Sequence, residues 1–132
     1  MNNYQKRLLN SIPGGAHTYS RGYDQFPSNA PEILLRGYGA YVFDPDGKSF
    51  LDYGMGLRGV NIGYGEAEIA SAAFRQIEYG NSLTRPSLVE LEAAETLIEL
   101  IESVDMVKFT KNGSTATSAA VKLARAYTGR DM

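Results

Sequence analysis

The densest set of anion-binding groups lies in Val107-Lys108-Phe109-Thr110-Lys111-Asn112-Gly113-Ser114-Thr115-Ala116-Thr117-Ser118. Ser114, Thr115, Thr117 and Ser118 are hydroxyl donors within about a turn of one another. If a helix starts here, its first N–H groups and the positive end of its dipole add to them. That chemistry holds a phosphate. The same residue types also make an ordinary helix start capped by Ser or Thr, and the stretch by itself leaves both readings open. A second pattern, Gly54-Met55-Gly56-Leu57-Arg58-Gly59, matches G-x-G-x-x-G. A dinucleotide site needs a helix opening at those glycines and a parallel strand after it. Here Gly63 and Gly65 break the following turns, and Glu78 falls inside a helical pattern. The glycines are read instead as a place where the backbone passes close to a neighbour. Arg58 is either a solvated charge or an anion contact.

The elements that must position these groups follow from spacing. Residues 106–110 are short, apolar and partly β-branched, which predicts a strand. Asn112-Gly113 is a turn dipeptide that tolerates positive φ. Ala116, Ala120, Leu123, Ala124 and Tyr127 recur at helical spacing, and Gly129 ends that helix. Upstream, Tyr4, Leu8, Leu9 and Ile12 share a helical face that Pro13-Gly14-Gly15 terminates. Residues 16–31 are rich in Tyr, Ser, Gly, Pro and Asn, and they carry His17, Thr18, Tyr19, Arg21 and Tyr23. The aromatics argue for an ordered loop that lines something.

A β-meander is predicted next, with strands at 32–36, 40–44 and 49–53. Its turns are Gly37-Tyr38-Gly39 and Pro45-Asp46-Gly47-Lys48. Proline sets φ in the second turn and Gly47 takes the left-handed position. Tyr41 and Phe43 share one face of the middle strand, with Val42 on the other. A helix is predicted from about Glu66 to Tyr79, with Ile69, Ala73 and Ile77 on one face and Gly80 as its stop. Ser87-Leu88-Val89-Glu90 is a capping box. It opens a helix with Leu88, Leu91, Ala94, Leu97, Ile98 and Ile101 inward and Glu90, Glu92, Glu95 and Glu99 outward. Glutamates so spaced form a solvated face rather than a catalytic pair.

Composition narrows the partners. The chain has 132 residues, which suits one domain or part of one. Thirteen basic and fifteen acidic side chains leave a net charge of −2. Nothing in that balance favours nucleic acid or an anionic membrane. The chain has no cysteine and one histidine, so thiolate chemistry is excluded and a histidine-based metal cluster is disfavoured. No run is long and apolar enough to span a bilayer, and a cytoplasmic location is the default expectation.

Five stretches, in this order, resemble a known family. They are Ile12-Pro13-Gly14-Gly15; Arg21; Gly39-Ala40-Tyr41-Val42-Phe43-Asp44-Pro45-Asp46-Gly47 with Asp52-Tyr53; Lys111-Asn112-Gly113-Ser114-Thr115-Ala116; and Leu123-Ala124-Arg125-Ala126-Tyr127-Thr128-Gly129-Arg130-Asp131. The chain is similar to the N-terminal part of a class III pyridoxal-phosphate aminotransferase, nearest the glutamate-1-semialdehyde 2,1-aminomutase branch. The resemblance implies an α/β (mixed α and β) chain, the front of the type I transferase fold. Residues 1–65 would join the small domain, and 66–132 would begin the large cofactor-binding domain. It implies pyridoxal 5′-phosphate as cofactor, with Gly113, Ser114 and Thr115 at its phosphate. It implies Arg21 as the arginine for the substrate carboxylate, with Thr18 beside it. The partners implied are a small-molecule substrate and a second copy of the chain in a homodimer.

The sequence departs from the family pattern mainly on the substrate side. Asn112 and Thr115 stand where Ser and Glu are usual, Leu57 replaces an aromatic, and Tyr64 replaces a histidine. His17-Thr18-Tyr19-Ser20 replaces the usual run before the arginine. Lys6, Lys48, Lys108, Lys111 and Lys122 match no Schiff-base position, so no catalytic residue is assigned and the 132-residue chain alone is expected to be inactive. Two function classes follow. One is the front of an aminomutase or aminotransferase; the other is a non-catalytic chain with an anion-binding and association role.

Overall fold

A computed structural model describes residues 3–130. The chain forms two compact units, one running to Tyr79 and the other starting at Gly80.

The first unit opens with α1, Tyr4–Ser11. The Asn3 side chain accepts the Lys6 N–H at 2.8 Å and caps it. Glu32 reaches back from the loop and accepts the Gln5 N–H at 3.0 Å, which places a carboxylate at the positive end of the helix dipole. The helix stops at Ile12, as the Pro-Gly-Gly run predicts, and Pro13–Gly15 makes one 3-10 turn. The loop that follows is ordered by two further 3-10 turns, Tyr19–Arg21 and Tyr23–Gln25.

The meander is present, with β1 at Arg36–Tyr38, β2 at Tyr41–Phe43 and β3 at Ser49–Leu51 in the order β1-β2-β3. Both pairings are antiparallel, with Tyr38 opposite Tyr41 and Val42 opposite Phe50. The first strand lies further along the chain than the 32–36 predicted for it. Gly37 and Tyr38, expected in a turn, are strand residues, and the turn is the two-residue Gly39-Ala40. The reason is non-local: Gly37 is the strand position over which the Tyr64 ring packs, so even a Cβ there would overlap that ring.

The second turn matches its prediction. Gly47 has φ +83°, and the Asp44 carboxylate accepts the N–H groups of Asp46 at 3.0 Å and Lys48 at 2.9 Å. Strand alternation also holds, since Val42 is 6% exposed and Tyr41 is 50% exposed. Val42 is the buried apolar centre of this unit. On the other face the Arg36 guanidinium stacks on its cross-strand partner Phe43, 3.7 Å from the ring centroid.

After β3 comes α2, a single turn at Met55–Arg58, and then α3, Ala67–Tyr79. Glu66 caps α3 by accepting the N–H of Glu68 at 2.8 Å and of Ile69 at 3.2 Å. The apolar face of α3 is not covered by the described residues: Ile69 and Ile77 are both exposed.

The second unit holds α4, Leu88–Leu100, and α5, Gly113–Thr128. The capping box predicted at Ser87 is present. Glu90 accepts the Ser87 N–H at 2.8 Å and its hydroxyl at 3.1 Å. These bonds, the backbone one foremost, hold the Glu90 carboxyl below its ordinary pKa. Of the six residues expected inward on α4, Ala94 and Leu97 are half-buried and the rest are exposed. Residues 106–110 are not a strand. A strand exists only through a ladder partner, and no described segment pairs with this one.

Candidate functional site

The expected anion site is at the start of α5. Asn112 is extended, with φ −162°, and serves as the N-cap. Gly113 is the first helical residue, so neither member of the dipeptide uses the positive φ that the sequence suggested. The cap is Asn112 rather than a serine or threonine. Its Oδ1 accepts both the N–H of Thr115 at 2.9 Å and the Thr115 hydroxyl at 3.0 Å. The Thr117 hydroxyl turns back to the carbonyls of Gly113 and Ser114 at 3.1 and 3.0 Å. Of the hydroxyls nearest the helix end, that leaves Ser114's. The N–H groups of Gly113 and Ser114 and the Ser114 hydroxyl have no partner among the described residues. Space beside Gly113 is open, with no atom within 4 Å of a Cβ placed there. Three donors at a capped, positively polarised helix end suit a phosphate group.

The residues expected on the substrate side lie in the first unit. Thr18 lines a cleft of about 400 Å³ together with Leu9, Pro13, Tyr19 and Tyr23. The Thr18 carbonyl accepts the Arg21 N–H at 3.0 Å, which closes the turn carrying the arginine. The Arg21 guanidinium is exposed and makes no hydrogen bond or ion pair among the described residues.

Sequence reasoning missed the group that organises this unit. Asp52, at the end of β3, accepts the Tyr64 hydroxyl on Oδ2 at 2.6 Å. The same carboxylate accepts the N–H of Gly54 at 2.9 Å and, more weakly, of Gly56 at 3.4 Å. The Tyr64 bond holds the Asp52 carboxyl below its ordinary pKa, against the opposing effect of partial burial. Tyr64 responds in kind. The bond to Asp52 raises its phenol, and the Arg21 charge opposes the rise.

This carboxylate sits at the start of α2, which winds left-handed. Met55, Gly56, Leu57 and Arg58 have φ of +46°, +57°, +63° and +72°. The turn closes through Arg58 N–H to the Gly54 carbonyl and Val60 N–H to the Met55 carbonyl, both 2.9 Å. Left-handed backbone costs roughly 1–2 kcal/mol for each non-glycine residue, and three of these four are not glycine. The Asp52 bonds to Gly54 and Gly56 offset part of that cost. The G-x-G-x-x-G stretch therefore opens no ordinary helix, in keeping with its rejection as a dinucleotide site. The Arg58 guanidinium is exposed and makes no hydrogen bond or ion pair among the described residues.

Tyr64 is fixed from three sides: its ring lies on Gly37, its backbone exchanges hydrogen bonds with Gly39 at 2.8 and 2.9 Å, and its hydroxyl is on Asp52. One signal for this was visible in the sequence. Gly37-Tyr38-Gly39 and Gly63-Tyr64-Gly65 are two copies of one tripeptide, and in the fold they pack against each other. Among the described residues no cluster of His, Cys, Asp or Glu could hold a metal ion, and no helix is long and apolar enough to cross a membrane.

Comparison with known proteins gives a consistent result. The family described as Aminotransferase class-III matches residues 19–131. A glutamate-1-semialdehyde 2,1-aminomutase from Salinibacter ruber is 34% identical over 128 residues, covering 97% of this chain and 29% of the relative. The FumI protein of Sphingopyxis sp. MTA144, solved in its PLP internal aldimine form, superposes with a TM-score of 0.90 at 34% identity. That match covers 98% of this chain and 31% of the other. An omega-transaminase from Sphaerobacter thermophilus gives 0.85 at 32% identity, covering 96% and 28%. The chain thus spans about three-tenths of the length of each of these relatives.

Proposed function

The chain belongs to the class III aminotransferase family, and from that premise we propose that it is the front of a pyridoxal-phosphate-dependent aminomutase or aminotransferase. The substrate class is a small carboxylate-bearing molecule such as glutamate-1-semialdehyde, the substrate named for the Salinibacter relative. In the complete enzyme residues 1–65 contribute to the small domain and 66–132 begin the large one. A cytoplasmic dimer is the setting proposed for it.

The observation that carries this reading is the open donor set at the start of α5. Gly113 and Ser114 hold the cofactor phosphate through two N–H groups and one hydroxyl, and the helix dipole adds to their effect. Thr115 adjoins them, and its bonds to Asn112 keep the first turn wound, so the donors stay aimed. Bound pyridoxal phosphate supplies an electron sink for bonds at the amino-bearing carbon of the substrate. Arg21 orients the substrate by its carboxylate. A charge-assisted guanidinium–carboxylate pair of this kind contributes roughly 1.5–3 kcal/mol. Thr18 shapes the cleft beside it. The association role also has support, because the apolar faces of α3 and α4 are exposed among the described residues.

The test uses the full-length protein that carries this segment. Ser114→Glu puts a carboxylate where the phosphate would sit, and cofactor retention should fall strongly. Arg21→Ala should raise KM for a carboxylate substrate with cofactor loading intact, and Arg21→Lys should recover only part, since lysine lacks the planar fork. Full cofactor affinity in Ser114→Glu would refute the phosphate assignment. Unchanged kinetics in Arg21→Ala would reduce that residue to a solvated loop charge.

A further inference from the structure

Met55, Gly56, Leu57 and Arg58 hold four consecutive left-handed φ values, a region that glycine visits singly and other residues seldom adopt in a run. Three of the four carry a Cβ, so the turn stores strain that its closing bonds must outweigh. Among these are Arg58 N–H to the Gly54 carbonyl and Val60 N–H to the Met55 carbonyl. Met55, Leu57, Arg58 and Gly59 are exposed, so water can replace such bonds on unwinding, and no apolar core has to open. Glycine stands at both ends of the turn. Gly54 and Gly59 have φ of −75° and −83°, the ordinary right-handed region, and glycine rotates out of it at little cost. The segment thus has a hinge on each side and a strained interior.

What ties the turn down comes from outside it. The Asp52 carboxylate accepts the N–H of Gly54 at 2.9 Å, that of Gly56 at 3.4 Å and the Tyr64 hydroxyl at 2.6 Å. Tyr64 is itself anchored to the meander, with its ring on Gly37 and its backbone bridged to Gly39. Gly56 lies against the same group: a Cβ there would stand 3.4 Å from the Tyr64 hydroxyl and 2.9 Å from Val60 Cγ2. We propose that α2 is a conformational latch, a two-state turn that stays left-handed while Asp52 is bonded to Tyr64 and unwinds about its flanking glycines when that bond is lost. Unwinding returns Met55, Leu57 and Arg58 to negative φ. It carries the Leu57 and Arg58 side chains to new positions while the meander stays folded.

The experiment is amide hydrogen exchange on the full-length protein that carries this segment, as wild type, Tyr64→Phe, Leu57→Gly and the double variant Tyr64→Phe/Leu57→Gly. Mass spectrometry follows peptides covering residues 54–60 and, as the reference, residues 36–51. Tyr64→Phe keeps the ring on Gly37 and removes only the hydroxyl. Exchange in 54–60 should speed up on the order of tenfold, the scale of one lost hydrogen bond to a charged group, while 36–51 keeps its wild-type rate. Leu57→Gly removes a Cβ from a left-handed position, so it should slow exchange in 54–60 below wild type. The double variant should return to within about threefold of wild type. At an unstrained position the same glycine would loosen the turn through backbone entropy and speed exchange instead. An unchanged rate in 54–60 in Tyr64→Phe overturns the proposal, and so does an acceleration that spreads equally to 36–51. A double variant that exchanges as fast as Tyr64→Phe overturns it too. Faster exchange in Leu57→Gly alone is equally fatal, and that variant leaves Asp52 and Tyr64 untouched, so it decides the matter even if Tyr64→Phe fails to fold.

Discussion

Asn112 and Thr115 are joined twice, since the Asn112 Oδ1 accepts both the N–H of Thr115 at 2.9 Å and its hydroxyl at 3.0 Å. This small knot sets where α5 begins and leaves the donors of Gly113 and Ser114 unspent. Asn112→Ala should therefore cost about 1 kcal/mol of stability and speed amide hydrogen exchange in the first turn of α5. Asn112→Asp preserves the cap, so stability should hold. Its negative charge beside the cup should still lower phosphate affinity. Melting temperature and phosphate-analogue binding, measured on both variants, separate the two effects.

Gly37 offers a second test. A Cβ built on it stands 2.8 Å from Tyr64 Cβ and meets ring atoms as well. The Tyr64 ring cannot move aside without breaking its bond to Asp52. Gly37→Ala should destabilise by roughly 1–3 kcal/mol, as overpacking does, read as a lower urea midpoint. In a Tyr64→Gly background the same change should cost much less, because both the obstructing ring and its Cβ are gone.

The Asp52–Tyr64 bond predicts a pH window. The folded-state pKa of Asp52 is lowered, so its contribution is present above the unfolded carboxylate pKa and is lost as pH falls through the folded value. The folded-state pKa of Tyr64 is raised, so its contribution is complete below the unfolded phenol pKa and is lost as pH rises through the folded value. The stability difference between wild type and Tyr64→Phe should be flat through neutral pH and shrink at both extremes. A difference that peaks or changes sign near neutrality would point to another titrating group.

For the 132-residue chain by itself, treatment with pyridoxal phosphate and borohydride should label no single lysine stoichiometrically. Lys6, Lys48, Lys108, Lys111 and Lys122 stand at no position matched to that chemistry. Peptide mapping reads the result. The exposed apolar faces of α3 and α4 further predict a solution mass above that of a monomer, measured by light scattering.

Local chemistry was legible in the sequence. The Pro45-Asp46-Gly47 turn, the Ser87–Glu90 capping box and the stop at Gly129, which has φ +66°, depend on residues within a few positions of one another. Side-chain reach along the chain decides such features, so residue type and spacing suffice to predict them. The order of motifs likewise carried the family and the expected place of Gly113, Ser114 and Arg21. Only the tertiary structure decided the rest. β1 runs at Arg36–Tyr38 because it pairs in register with β2, Arg36 opposite Phe43, and because Gly37 seats the ring of Tyr64, a residue far away in sequence. Residues 106–110 have strand character yet no ladder, because a strand is a relation between two segments. The left-handed turn at Met55–Arg58 contradicts the backbone preference of three of its residues. It stands because a carboxylate before it also holds a tyrosine twelve positions further on. No propensity encodes such a contact, since it exists only once the chain has folded back on itself.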